Sequence, residues 1–446
     1  MTGSARRKDL SVAIANGRIQ SIAKKIPAPR GALVIQAKGK FLIPGLWDMH
    51  MHLGQPEIFF PLLLANGVTG VREMFSGIPL NTIRAWRVQP DSPRIVASGF
   101  IDGPPMLWNG VPPQGAIAVA NADHARFAVR AIAQSGFDFV KVYNSVPREA
   151  YFALAEEARA MGIPFAGHVP EEVSPAEASD AGQRSEEHLL NILLACSIRE
   201  EELRTERVRT MLDPKMSGEA RMRILAFPAT EGLVDTYSEE KATTLFHTFV
   251  RNGTWQTPTL VVLAGFARMG DDDFTHDSRR SYLLPAWKEA WDPRKTFFLR
   301  DLSPAAWDAL QARIRALLAR HEKLVGDMHR AGVQFLAGTD SNGYNPIFPG
   351  SGLHDELALL VESGLSPLEA LQSATLNPAR YFGQERDMGT VEVGKVADLV
   401  LLNADPLSDI HNTQKIEAVM KRGHYYSRPD LDLLLGHAAI FAATGH

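Results

Sequence analysis

Strand and helix signals alternate through most of the chain, and this alternation predicts an α/β fold built on a parallel sheet. Eight strand–helix steps can be counted across the middle of the sequence. The 446 residues also suffice for a barrel of ~250 residues or more with a smaller second domain.

Taken in order, Leu10 to Ile14 and Arg18 to Ile22 read as short strands around an Asn16-Gly17 turn, with a third at Ala32 to Ala37. Three such strands are too few to stand alone. Similar signals return at Gly389 to Gly394, Ala397 to Leu402 and Ile416 to Lys421. Between the two ends, helix Ile58 to Ala65 precedes strand Thr69 to Met74, and strand Arg94 to Ser98 leads into a Pro/Gly-rich loop over Asp102 to Gly115. Helix Asp123 to Gln134 stops at Gly136 and feeds strand Phe139 to Tyr143. The amphipathic helix Arg148 to Met161, closed by Gly162, is followed by strand Ile163 to His168. A short helix at Pro175 to Ala181 precedes strand Ser185 to Leu189. Two irregular insertions, Ser197 to Ser238 and Gly265 to Ser303, flank a seventh strand at Thr254 to Leu263. Helix Pro304 to Arg330 leads to the last strand, Val333 to Asp340, and to helices His354 to Ser363 and Pro367 to Ala374.

Composition narrows the function classes. Basic and acidic residues number 47 and 51 and are well mixed, so no basic run suggests nucleic acid or a membrane surface. No apolar segment reaches the ~18 residues of a membrane span, which sets the expectation of a cytoplasmic protein with no membrane partner. The single Cys196, in an apolar run, reads as a buried small hydrophobe.

The chemistry centres on Phe41 to Gly54, FLIPGLWDMHMHLG. Alternate residues of a strand share a face, so His50 and His52 point the same way, and paired imidazoles at a strand end are a metal-binding edge. Four further positions close candidate strands: Lys141 in FVKVY, His168 in FAGH, His188 in SEEH and Asp340 in LAGTD. A lysine within an apolar strand is costly unless its charge is removed or paired. Among 14 histidines a few would fall near strand ends by chance, but the ordered set is far less expected from chance.

The order His-x-His, Lys, His, His, Asp, on strands one, four, five, six and eight, resembles the binuclear amidohydrolase superfamily over nearly the whole chain. The resemblance implies a (β/α)8 TIM barrel over residues 44–385 and a small β-sandwich from residues 1–43 and 386–430, with a tail helix at 431–446. The stretch VGKVADLVLLNADPL looks like the family's C-terminal signature. It further implies two divalent metals, zinc being the expected one. His50, His52 and Asp340 would hold one and His168 and His188 the other, with Lys141 between them as a carbamate formed with carbon dioxide. In such hydrolases a bridging hydroxide attacks a polarised carbonyl, and Asp340 would carry its proton to the leaving nitrogen. Since the family chain normally has a strand before a turn like Thr2-Gly3, a start truncated of a leader is kept as an alternative to the cytoplasmic reading.

The segments VKVY, AGHVP, EH and TPTL look most like the prolidase-like group, which includes Xaa-Pro dipeptidases, N-acyl amino acid hydrolases and ochratoxin-type amidases. The implied substrate is a small amide with a free carboxylate, and the expected assembly is a homo-oligomer. Tyr143 shares a strand face with Lys141 and could bind the carboxylate or an oxyanion, although a core aromatic fits equally well. His354 is a further candidate beside the centre, and Arg72, Arg380 and the insertions are candidates for a carboxylate clamp. Glu171, in His168-Val-Pro-Glu171, formally matches a deaminase pattern but is expected to be a solvated helix-start residue. A lactonase or phosphotriesterase-like hydrolase, a mononuclear deaminase and a non-catalytic barrel remain the alternatives.

Overall fold

The computed structural model describes residues 6–104, 115–227, 233, 235–296 and 299–445. Seven parallel strands form the core of the sheet: β4 (Leu46–Met51), β5 (Val68–Glu73), β6 (Arg94–Asp102), β8 (Phe139–Val142), β9 (Phe165–Gly167), β10 (Ser185–Glu187) and β11 (Trp255–Thr257). They pair in that order, and β7 (Ile117–Ala118) pairs outside this path on β6.

The eighth position is filled by the segment 334–341, which closes the sheet on itself. On one side Gln256 N donates to Gln334 O and Leu336 N donates to Gln256 O, both at 3.0 Å. On the other, Met49 N donates to Ala337 O and Thr339 N to His50 O, both at 2.9 Å. The result is the (β/α)8 barrel, a geometry that gathers the strand C-termini around one mouth. The expected last strand, Val333 to Asp340, is thus present as a bridging segment rather than a continuous ladder.

Short β10 and β9, three residues each, reflect the same geometry, because barrel strands pair only over their central turns before diverging into loops. Helices cover the outside where their sequence pattern requires it. In Arg148–Met161, Ala150, Tyr151, Leu154, Ala155 and Ala158 are buried while the acidic residues on the other face meet solvent. Gly162 closes that helix in the left-handed conformation, φ 65°, which a glycine adopts without steric cost.

The chain ends meet in a second layer. β3 (Phe41–Pro44) pairs antiparallel with β12 (Leu399–Leu402), followed by β13 (Ile416–Lys421) and β14 (His424–Ser427). The hairpin of β1 (Ser11–Ala15) and β2 (Arg18–Ala23) lies against it through an Arg18–Val396 bridge. Gly45 turns the chain from β3 into β4, and a Cβ there would lie 2.2 Å from Thr69 Oγ1. The helix Arg428–Thr444, started by a Ser427–Asp430 capping box, packs on the first barrel helix, Pro56–Ala65.

Several sequence expectations require correction. The expected seventh strand, Thr254 to Leu263, ends at Thr257, and Leu260–Arg268 is a helix. A short apolar run such as LVVLAGF is compatible with either state, and packing against helix Pro304–Arg330 selects the helix. Ala32 to Ala37 and Gly389 to Gly394 form no strands; Leu33 and Val34 are exposed and no neighbouring edge pairs with them. Part of the loop expected over Asp102 to Gly115 lies outside the described residues. No helix among the described residues is long and apolar enough to cross a membrane.

Candidate metal centre

Four imidazoles meet at the barrel mouth, and each has its Nδ1 occupied by the protein. His50 Nδ1 lies 2.7 Å from Glu187 Oε2 and His52 Nδ1 lies 2.7 Å from Phe75 O. His168 Nδ1 is 2.5 Å from Asn144 Oδ1, and His188 Nδ1 is 2.7 Å from Thr259 Oγ1. A carbonyl or carboxylate acceptor requires the proton on Nδ1, which leaves the lone pair of the neutral ring on Nε2. That arrangement orients ligand histidines in metalloproteins.

The Nε2 atoms of His50 and His52 converge on Asp340. His52 Nε2 is 2.9 Å from Asp340 Oδ1, and His50 Nε2 is 3.4 Å from the same oxygen without hydrogen-bonding geometry. His50, His52 and Asp340 offer three ligand atoms within 4.8 Å of one another. The ring of His188 is 4.4 Å from that of His50, and the ring of His168 is 4.9 Å from that of His188. His50 Nε2 is buried with no hydrogen-bond partner among the described residues. An orphaned lone pair of this kind is costly unless something accepts it, and a divalent cation would. The donor set fits a metal on this observation.

Lys141 is buried at 1% exposure and makes no hydrogen bond or ion pair among the described residues; its Nζ lies 5.9 Å over the Tyr143 ring. Burial lowers its pKa to about 8. Burial likewise lowers His168 well below the usual imidazole range and His188 to about 3, so both stay neutral and able to ligate. Burial opposes ionisation of Asp340, yet the neighbouring imidazoles of His50, His52 and His188 hold its carboxyl well below the usual carboxylate range.

The backbone positions these groups at a cost. Asp340, His188 and Thr259 all adopt positive φ, at 55°, 64° and 49°. Side chains rarely tolerate that conformation, and such strain concentrates where a site needs it. Gly338 lets the closing segment approach β4, since a Cβ there would fall 2.7 Å from the Cβ of His50. Asp48 secures the same junction, accepting from Thr339 N at 3.0 Å and from Thr339 Oγ1 at 2.6 Å. Burial raises the Asp48 carboxyl to about 7.

The structure brings His50, His52, Lys141, His168, His188, Asp340 and Tyr143 to one place; all but the fully buried His50 line a single cavity. Tyr143 stacks at 4.2 Å on the His168 ring, and burial raises its phenol well above its ordinary value, keeping it a neutral donor. His354 lies elsewhere. Its Nδ1 is 3.0 Å from Thr413 Oγ1 and its Nε2 is 3.1 Å from Asn66 O, which ties the helix Gly352–Glu362 to the C-terminal segment. Both nitrogens are used within the protein, and His354 does not line the cavity.

Arg72 also differs from expectation. It is fully buried, donating to Glu187 Oε1 at 2.8 Å, Ser185 Oγ at 2.8 Å and Tyr381 Oη at 2.9 Å, and so it positions Glu187 rather than facing a substrate. Against the cost of burial, Arg72 and His50 hold the Glu187 carboxyl far below its ordinary range. Arg380 is exposed and does not line the cavity. Glu171 is not solvated: it is buried, bonded by Arg207 Nε at 2.7 Å and by Asn144 Nδ2 at 3.3 Å. Arg207 belongs to helix Glu200–Met211, so Glu171 and Asn144 connect the first insertion to His168. Glu187, Asn144 and Thr259 were missed as orienting residues because their contacts span 137, 24 and 71 positions. Of the three, only Glu187 carried a sequence signal, as an acid beside a ligand histidine.

Residues 297–425 match the model of the Amidohydrolase family. Ochratoxinase of Aspergillus niger is 33% identical over 125 residues, covering 27% of this chain and 25% of that protein. Adenine deaminase 3 of Rhizobium meliloti (strain 1021) is 31% identical over 119 residues, covering 27% of this chain and 18% of that protein. These matches therefore span a quarter or less of the relatives' length. Among solved structures, a bottromycin amidohydrolase superposes with a TM-score of 0.70 at 26% identity, covering 97% of this chain and 86% of the other. A Xaa-Pro dipeptidase with bound methionine superposes with a TM-score of 0.65 at 19% identity, covering 96% and 97%, a likeness that speaks to the fold.

Proposed function

We propose that this chain, an amidohydrolase-family protein by its match and its fold, hydrolyses the amide bond of a small molecule bearing a free carboxylate. The observation that carries the proposal is the mouth itself: four imidazoles with Nδ1 engaged, an ionised Asp340 and a buried Lys141 without a hydrogen-bond partner among the described residues, around one cavity.

His50, His52 and Asp340 would hold one divalent metal, and His168 and His188 a second, with zinc the expected identity. Among the described residues, neither His168 nor His188 is hydrogen-bonded to a carboxylate. A carbamate on Lys141 supplies an anionic group, and the depressed pKa of Lys141 favours the neutral amine that reacts with carbon dioxide. Metals bound there would lower the pKa of water and polarise a carbonyl.

The remaining work falls to this chain's residues. Asp340 Oδ1, kept ionised, accepts the proton of the attacking water and returns it to the amine nitrogen, which cannot leave as an anion. Asn345 Nδ2 donates to Asp340 Oδ2 at 2.9 Å, which aims the other oxygen at the reacting atoms. Tyr143, neutral and at the cavity wall, donates to the carboxylate or to the developing oxyanion. The test is metal content per chain together with a hydrolysis screen of N-acyl amino acids and dipeptides against esters and lactones. Two metals and amide cleavage are expected; one metal with deamination, or esters alone cleaved, would overturn the proposal.

A further inference from the structure

The cavity that begins at the metal centre is far larger than a dipeptide needs. Its volume is about 1690 Å³, whereas small-molecule sites commonly run ~300–1,000 Å³. The excess lies between the two insertions and the barrel. Leu203 comes from helix Glu200–Met211, Leu225 from helix Gly218–Ala226, Val262 and Phe266 from helix Leu260–Arg268, and Trp287 from helix Pro285–Ala290. Five side chains from four helices thus present apolar surface to one chamber.

Polar groups also line this chamber, among them Glu206, Arg207, Thr210, Arg223 and His321, and one more, Arg313, is left with a buried unsatisfied donor. Arg313, on helix Pro304–Arg330, lines the chamber with its Nε buried and without a hydrogen-bond partner among the described residues. Buried donors are normally satisfied, so an acceptor oxygen on an occupant would relieve this one.

We infer that the chamber is the binding site for a long apolar acyl group, so that the substrates are long-chain N-acyl amino acids. This rests on the amide-hydrolase function proposed above. The metal centre takes the amide, the apolar helices take the acyl chain, and Arg313 bonds an oxygen carried on that chain. Each methylene moved from water into the chamber adds to transition-state and ground-state binding alike, so the gain appears in kcat/KM.

The test has two arms on the full chain. In the first, acetyl-, hexanoyl- and dodecanoyl-amino acids are assayed side by side. A rise in kcat/KM of at least about tenfold from acetyl to dodecanoyl is expected, equivalent to ~1.4 kcal/mol. Val262→Phe, which narrows the chamber, should shrink that ratio, whereas a general folding defect would lower both rates together. In the second arm, N-dodecylglycine, which has no carbonyl to cleave, is titrated calorimetrically against N-ethylglycine. Tighter binding of the longer compound with a negative heat-capacity change is expected, and Arg313→Met should leave it in place while weakening a 12-hydroxylated analogue. Equal rates for acetyl and dodecanoyl substrates with equal binding of the two glycines would overturn the chamber while leaving amide hydrolysis standing. Absence of amide cleavage at every length would instead sink the proposed function, and the binding arm would still report on the chamber.

Discussion

Two regions of this molecule bury histidine, and they do so differently. At the barrel mouth His50 gives Nδ1 to Glu187 and keeps a buried Nε2 without a hydrogen-bond partner among the described residues. At the seam between helix Gly352–Glu362 and the C-terminal segment, His354 spends both nitrogens, one on Thr413 and one on Asn66 O. Burial lowers the pKa of both imidazoles, that of His354 to about 4, so charge does not distinguish them. The difference is the leftover lone pair. A histidine whose Nε2 faces other candidate ligand atoms, as in His50 and His52, suits an external ligand; one whose nitrogens are spent on a threonine hydroxyl and a backbone carbonyl joins segments.

The comparison can be broken most forcefully at Lys141. Lys141→Ala should nearly abolish hydrolysis, with partial recovery on adding a short carboxylic acid and metal. Full activity with normal metal content in that variant would remove the carbamate from the mouth. Asp340→Asn retains a ligand oxygen but cannot accept a proton, so turnover should fall by roughly 10²–10⁴ while metal largely stays. An unchanged kcat in metal-replete enzyme would reassign the base.

A smaller effect is expected one contact further out. Asn144→Ala frees Nδ1 of His168, and metal affinity, measured by chelator competition, should weaken ~10–100-fold. Affinity equal to that of the parent would mean that His168 is not a ligand or needs no orientation. Substrate charge comes next: replacing the free carboxylate of an N-acyl amino acid by a carboxamide should lower kcat/KM by at least about tenfold, or ~1.4 kcal/mol. Equal rates for acid and carboxamide would exclude a clamp. The seam should respond in the opposite currency. His354→Ala removes two buried hydrogen bonds and should cost ~1–3 kcal/mol in a denaturation experiment with little change in kcat. A large loss of turnover in protein of normal stability would return His354 to the site.

Much of this was legible along the chain because it is local. His50 and His52 share a face through strand periodicity, and Lys141 declares itself as a charge within an apolar run. Regular alternation marked the strands, and the long helix Pro304–Arg330 lies where its pattern places it. The residues that orient the ligands carried weaker signals, since Asn144 and Thr259 are ordinary polar residues until folding brings them to an imidazole. Likewise Arg72 looked available for a carboxylate clamp and His354 for the centre, and only the fold reveals the partners that engage them. Glu171 followed a helix-start preference that holds for solvated acids, but Arg207, 36 positions away, draws it into the interior. Residue type and period are properties of short windows, so the sequence contains them. Whether a polar atom is satisfied or left over depends on neighbours from every element around it, and that is settled only when the barrel closes.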